Sequence, residues 1–241
     1  MPAAAGRDAE IARLNEELKS FIRSVAHDLG APLRAIDGFT EALADEYGAG
    51  LDTTGMEYVN ELRAAGRHMR EMLDGLIRLA RVGQAGISPA ETDLGVMSRA
   101  IAARLRASDL DRQVEFVVGT NLRVNADAQL IGEALTELLE NAWRFTSSHA
   151  EATIEVGRAA DGSFYVRDDG AGFDPSQKER LFIPFQVLHS SSECGGLGIG
   201  LAVVGRIVRR HGGEVWADGE PGRGSTISFT LPSSKGPHPT E

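Results

Sequence analysis

Two apolar stripes at helical spacing constrain this chain more than any other feature. Leu14, Leu18, Phe21, Val25, Leu29, Leu33, Ile36, Phe39 and Leu43 recur every three or four residues, the pattern of an amphipathic helix with a continuous seam. Gly48 and Gly50 end it near Tyr47, and a second helix starts after Asp52 or Thr53, either of which can cap it. Its stripe of Met56, Val59, Leu62, Ala65, Met69, Met72, Leu76 and Leu79 runs to about Val82. A hairpin of two such helices cannot bury both stripes alone. The expectation is therefore a homodimeric four-helix bundle. The charged lead-in, Arg7 to Leu18, reads equally as the end of a signalling coiled coil or as a simple helical extension.

His27 lies off the first seam and is followed at once by Asp28. Alone, such a histidine is an ordinary solvated side chain. Asp28, however, can accept one ring N–H and leave the other nitrogen with a free lone pair, as an imidazole nucleophile requires. Pro32 has no N–H for the carbonyl of Asp28, so the helix is expected to loosen or bend one turn after His27.

With 241 residues, 42% of them hydrophobic, the chain can build one large or two small globular cores, and two is the reading adopted. A formal charge of −10 disfavours nucleic acid or an anionic membrane as partner, since either calls for a basic face. A basic protein partner fits better, or none. The single cysteine, Cys194, permits no disulfide within the chain, so a reducing compartment is expected. No apolar run approaches the roughly 20 residues that span a bilayer, and the first six residues do not resemble a signal peptide. The expectation is a cytoplasmic chain without direct membrane insertion, either whole or a fragment of a longer receptor.

The stretch 83–93 (GQAGISPAETD) reads as a linker, dividing a hairpin region at 1–82 from a second domain at 94–232, with a disordered tail at 233–241. In the second domain, helices are expected at Leu94 to Ala107, Asp127 to Phe145 and Gly198 to His211. Strands are expected at Gln113 to Val118, Ala152 to Val156, Phe164 to Arg167, Glu214 to Ala217 and Ser225 to Leu231. Helices on one face of a mixed, mostly antiparallel sheet fit this order, giving an α+β chain with an α/β sandwich after the hairpin.

Three stretches of that domain carry candidate chemistry, each with a plain alternative. Glu137, Asn141 and Arg144, spaced four and three, share one helix face. Asn141 suits a Mg²⁺ ion and Arg144 a phosphate, or the three are an ordinary polar face. In VRDDGAGFD, Asp168 and Asp169 end a strand and Gly170 and Gly172 let the backbone approach a flat ligand. A carboxylate there can accept from an exocyclic amine and so select adenine over guanine; the bland reading is a turn with two acids. In GGLGIGL, Gly195, Gly196, Gly198 and Gly200 run into a helix and offer backbone N–H groups to phosphate oxygens. That loop matches neither a P-loop nor a dinucleotide fingerprint.

Taken together, these motifs resemble the transmitter region of a sensor histidine kinase over roughly Ala9 to Pro232. HDLGAPL resembles the phosphoacceptor box, ELLENAWRFT the asparagine box and DDGAGF the first glycine box. LFIPF resembles the phenylalanine box, GGLGIGL the second glycine box and GEPGRGSTISFTLP the closing glycine-rich strand. The HDLGAPLRAIDGFTEAL run is similar to the phytochrome-linked branch. The resemblance implies a dimerising hairpin joined to an ATP-binding domain of the gyrase, Hsp90 and histidine-kinase type. By position, His27 would be phosphorylated with Asp28 as its acidic helper, and Asn141 would hold Mg²⁺. Asp168 would take the adenine amine, with Gly170 and Gly172 along the adenine edge and Thr226 helping to close that pocket. Gly196, Gly198 and Gly200 would line the triphosphate. The segment from about Pro175 to Cys194 would be a mobile lid packed by Phe182 and Phe185. A response-regulator receiver domain would accept the phosphoryl group, and an upstream sensor module or sensor protein would supply the signal.

Departures from the family pattern qualify these expectations. Glu137 stands where the first asparagine is usual, and Arg144 where lysine is, bidentate where Lys is a point charge. Four residues after the histidine stands Ala31, which cannot orient an attacking water, so phosphatase activity toward the partner should be weak or absent. The alternatives are a nucleotide-binding, non-catalytic signalling scaffold, and an ATPase or protein-serine kinase on the same nucleotide fold.

Overall fold

A computed structural model describes residues 2–83, 86–186 and 196–232. The chain divides into two compact units, Met1–Arg81 and Val82–Glu241.

The first unit is the hairpin. Helix α1 spans Pro2–Tyr47, a single 3-10 turn covers Gly48–Gly50, and α2 spans Thr53–Val82. Of the two capping candidates, Asp52 takes the role: its carboxylate accepts from Gly55 N at 2.7 Å. α1 is assigned as continuous helix through Pro32, so the expected loosening after His27 does not break it. A proline removes one backbone bond, and the flanking turns retain theirs. Inside the hairpin Leu33 and Val59 are buried, and Gly66 leaves room for the Asp37 side chain, which pairs with Arg70. Much of both stripes stays in solvent: Phe21, Leu29, Ile36, Phe39 and Leu43 on α1, and Leu62 and Met69 on α2 are exposed. The side chains of Leu14 and Leu18 lie outside the described residues.

The second unit holds, among the described residues, helices α3 (Leu94–Ser108), α4 (Ala128–Phe145) and α5 (Gly200–Arg210) and seven strands. β2 (Gln113–Val118), β4 (Glu151–Arg158), β5 (Phe164–Asp168), β7 (Ser225–Phe229) and β6 (Val215–Gly219) form one sheet in the order β2-β4-β5-β7-β6. β2 and β4 run parallel and the other neighbours antiparallel. Alternation along the strands buries Ile154, Val156, Phe164, Val166, Ile227 and Phe229 under the helices. Leu135, Leu138, Leu139, Val203, Val204 and Ile207 of α4 and α5 complete that core. The other sheet face carries Glu155, Tyr165 and Arg167, joined by hydrogen bonds.

β1 (Ala90–Asp93) and β3 (Arg123–Ala126) pair antiparallel in a separate small sheet. The stretch expected to be linker, 83–93, therefore ends in a strand of the second unit. Asp93 then caps α3 through Gly95 N and Val96 N, and Asp127 caps α4 through Gln129 N and Leu130 N. The tail, 233–241, lies outside the described residues.

Candidate functional site

On α1 the His27 ring is held by its neighbour: Nδ1 lies 3.2 Å from Asp28 Oδ1. A carboxylate can only accept, so this contact places a proton on Nδ1, and in the neutral ring Nε2 then carries the lone pair. The His27 side chain is 86% exposed, which leaves that nitrogen accessible to a large reactant. The second Asp28 oxygen lies 3.5 Å from Ser24 Oγ.

In the second unit, Asp168 closes β5 and is 6% exposed. Oδ2 accepts from Ser225 Oγ at 2.6 Å and Oδ1 from Gly170 N at 3.0 Å. Burial pushes its carboxyl above the usual value of 3.8, and these two donors pull the other way. With the Ser225 backbone N–H, three donors meet a carboxylate that has about four acceptor positions, so one further donor, such as an amine, can be received.

The adjoining turn is packed from two sides. Ala171 N donates to the Phe145 carbonyl at the end of α4 (3.0 Å), and the same carbonyl fills the space a side chain at Gly170 would need. Gly222 N reaches Ala171 O at 2.7 Å from the loop before β7. Gly172 has φ +65 with the Glu220 carbonyl where a Cβ would stand, so this position demands glycine.

The polar face of α4 meets the second glycine stretch. A Cβ at Gly196 would strike the Arg144 guanidinium, and one at Gly200, the first residue of α5, would strike the Glu137 carboxylate. Asn141 lies between them on α4 and is half-buried. Gly198 has φ +65, accepts from Phe185 N at 3.0 Å and packs on the Gln186 carbonyl. The structure thus brings Glu137, Arg144, Gly196 and Gly200 together, and Asp168, Gly170 and Gly172 together. Residues 187–195, including Cys194, Gly195 and much of the expected lid, lie outside the described residues.

Thr226 is the exception. It pairs with Arg167 on β5 and Asp218 on β6, which puts it on the sheet face opposite Asp168, while Ser225 shares the Asp168 face. The hydroxyl that reaches Asp168 is therefore that of Ser225. Two further contacts had no sequence signal: the Phe145 carbonyl, and Asp169, both of whose oxygens lie 3.0 Å from Thr153 N.

The donor set suits a magnesium nucleotide. No cluster of three or more His, Cys, Asp or Glu able to hold a metal occurs among the described residues. A neutral amide oxygen at Asn141, on the same helix face as Arg144 and near the start of α5, is a set that would suit an ion bound chiefly by phosphates.

Residues 126–235 match the family described as Histidine kinase-, DNA gyrase B-, and HSP90-like ATPase. Residues 17–85 match the His Kinase A (phospho-acceptor) domain. The chain is 34% identical over 228 residues to cyanobacterial phytochrome B of Nostoc sp., covering 92% of this chain and 30% of that protein. It is also 34% identical over 232 residues to the methanogenesis regulatory histidine kinase FilI of Methanothrix harundinacea, covering 94% of this chain and 26% of that protein. Full-length ShkA, solved in complex with AMPPNP, matches with a TM-score of 0.62 at 26% identity over 88% of this chain and 45% of that one. The chain spans less than a third of either curated relative.

Proposed function

The chain is the transmitter region of a sensor histidine kinase, a phospho-acceptor domain followed by an ATPase-type domain, and from that premise we propose that it transfers the γ-phosphoryl group of ATP to Nε2 of His27. The observation that carries this is the exposed imidazole held at Nδ1 by Asp28. The Nε2 lone pair attacks γ-phosphorus in line, the bond to the ADP oxygen breaks, and the proton on Nδ1 of the resulting imidazolium passes to Asp28. Orientation supplies most of the acceleration.

Asp168 accepts from the adenine amine, Gly170 and Gly172 bring backbone to the ring, and Arg144 and the glycines before α5 receive phosphate oxygens. Asn141 would hold Mg²⁺, which neutralises phosphate charge when bound. Phosphohistidine is a high-energy phosphoramidate, so we assign the next step to an aspartate of a response-regulator receiver domain. An upstream sensor module or protein controls the reaction. The exposed apolar stripes of the hairpin support a homodimer. With Ala31 after the histidine, a phosphorylated regulator should keep its label in this protein's presence, and rapid loss of label dependent on the protein would refute that.

The deciding experiment incubates the chain and its His27→Gln variant with Mg²⁺ and γ-labelled ATP. Acid-labile label on the parent alone is the expected result. Acid-stable label points to a serine kinase, and bound ATP without label on either protein points to a scaffold.

A further inference from the structure

Asp169 is the unexplained acid of the adenine turn. β4 and β5 pair as far as Ile154 with Asp168, where β5 ends. On its other side β4 pairs with β2, Thr153 opposite Glu115. Successive N–H groups of a strand point to alternate sides, so the Thr153 N–H, aimed at β5, meets a strand that has stopped. Both oxygens of Asp169 lie 3.0 Å from that nitrogen. The carboxylate replaces the carbonyl that one more strand residue would have supplied. The backbone of residues 169–172 can then leave the sheet toward Phe145 while staying fastened to β4.

We propose that Asp169 is a positioning residue for nucleotide binding, ending β5 at Asp168 and fixing the Asp168–Gly172 turn through Thr153 N–H. The inference rests on the nucleotide reading of this site. Asp169 also stands beside Asp168 as a negative neighbour that raises its pKa, and it is the charged group acting on Asp168 among the described residues; Ser225 and Gly170 face it as neutral donors.

The test measures ATP affinity by calorimetry with Mg²⁺, and labelling rate at saturating ATP, for the parent, Asp169→Ala and Asp169→Asn. Loss of one charge-assisted backbone bond should weaken binding by Asp169→Ala about tenfold, with the saturated labelling rate within about twofold of the parent. Asn keeps an acceptor oxygen, so Asp169→Asn should restore affinity to within about twofold at neutral pH. By removing the negative neighbour it should also move the acid limb of ATP binding to lower pH. Parent-like affinity in Asp169→Ala, or an Asn variant as weak as the Ala variant, overturns the inference alone. Should Asp169→Ala fail to fold, an Asp169→Asn variant weakened about tenfold at neutral pH overturns it. A parent that binds no ATP overturns the nucleotide reading and this inference with it.

Discussion

Asp168 is the residue to which the proposed function gives adenine recognition, and its burial leads to a pH prediction. Because burial raises its pKa above 3.8, the carboxylate that accepts from adenine exists only above that raised value. ATP affinity should therefore fall as pH drops through it, earlier than an exposed aspartate would dictate. Ser225→Ala removes a donor that favours the ionised form, so the acid limb should move to higher pH and affinity at neutral pH should drop several-fold, about 1 kcal/mol. Titrating ATP binding against pH in parent and variant checks both. The same pair shows where residue-level reading stops. Asp168 was legible as an acid at the end of an alternating strand. Choosing between Ser225 and Thr226 required the register that sets Asp168 opposite Ser225, and a one-residue shift exchanges the two faces of a strand.

Among the elements, α4 carries Glu137, Asn141 and Arg144, the residues proposed to face the phosphates, and is fixed at both ends. At its start Asp127 accepts from Ser88, Gln129 and Leu130 N–H groups, and the Ser88 bond leads in holding its carboxyl below 3.8. A depressed folded pKa contributes stability above the unfolded value and loses it as pH falls through the folded one. Asp127→Ala should cost about 1 kcal/mol, a shift of about 2–4 °C in Tm for the second unit, and should flatten the acid side of the stability curve. Thermal melts from neutral to low pH measure it. At its end Arg112 lies 4.1 Å over the Trp143 ring and bonds Trp143 O and Thr146 Oγ1, a cation at the negative pole of the helix. The long elements were readable because their apolar periods run for many turns. β1 (AETD) and β3 (RVNA) were not: four residues with little apolar alternation carry no period, and only their mutual pairing makes them strands.

At the scale of the whole molecule, the first unit is a hairpin with its apolar stripes half covered. Phe39, at 79% exposure, and Leu62, at 50%, sit on those stripes. Burying such side chains is worth about 1.5–3 kcal/mol each, so Phe39→Glu with Leu62→Glu should turn a dimer into a monomer in sedimentation while α-helix content by circular dichroism persists. In the second unit β7 lies between β5 and β6, so the last strand among the described residues is interior to the sheet. Ser225 reaches Asp168 across a separation of 57 residues. Chains emerge from the ribosome amino end first, with hairpins of local contacts able to form early. The His27 hairpin can form while the sheet still lacks β7, and Asp168 stays without its Ser225 donor until Ser225 to Phe229 arrive. A nascent chain therefore presents His27 beside Asp28 before the Asp168–Ser225 contact can exist.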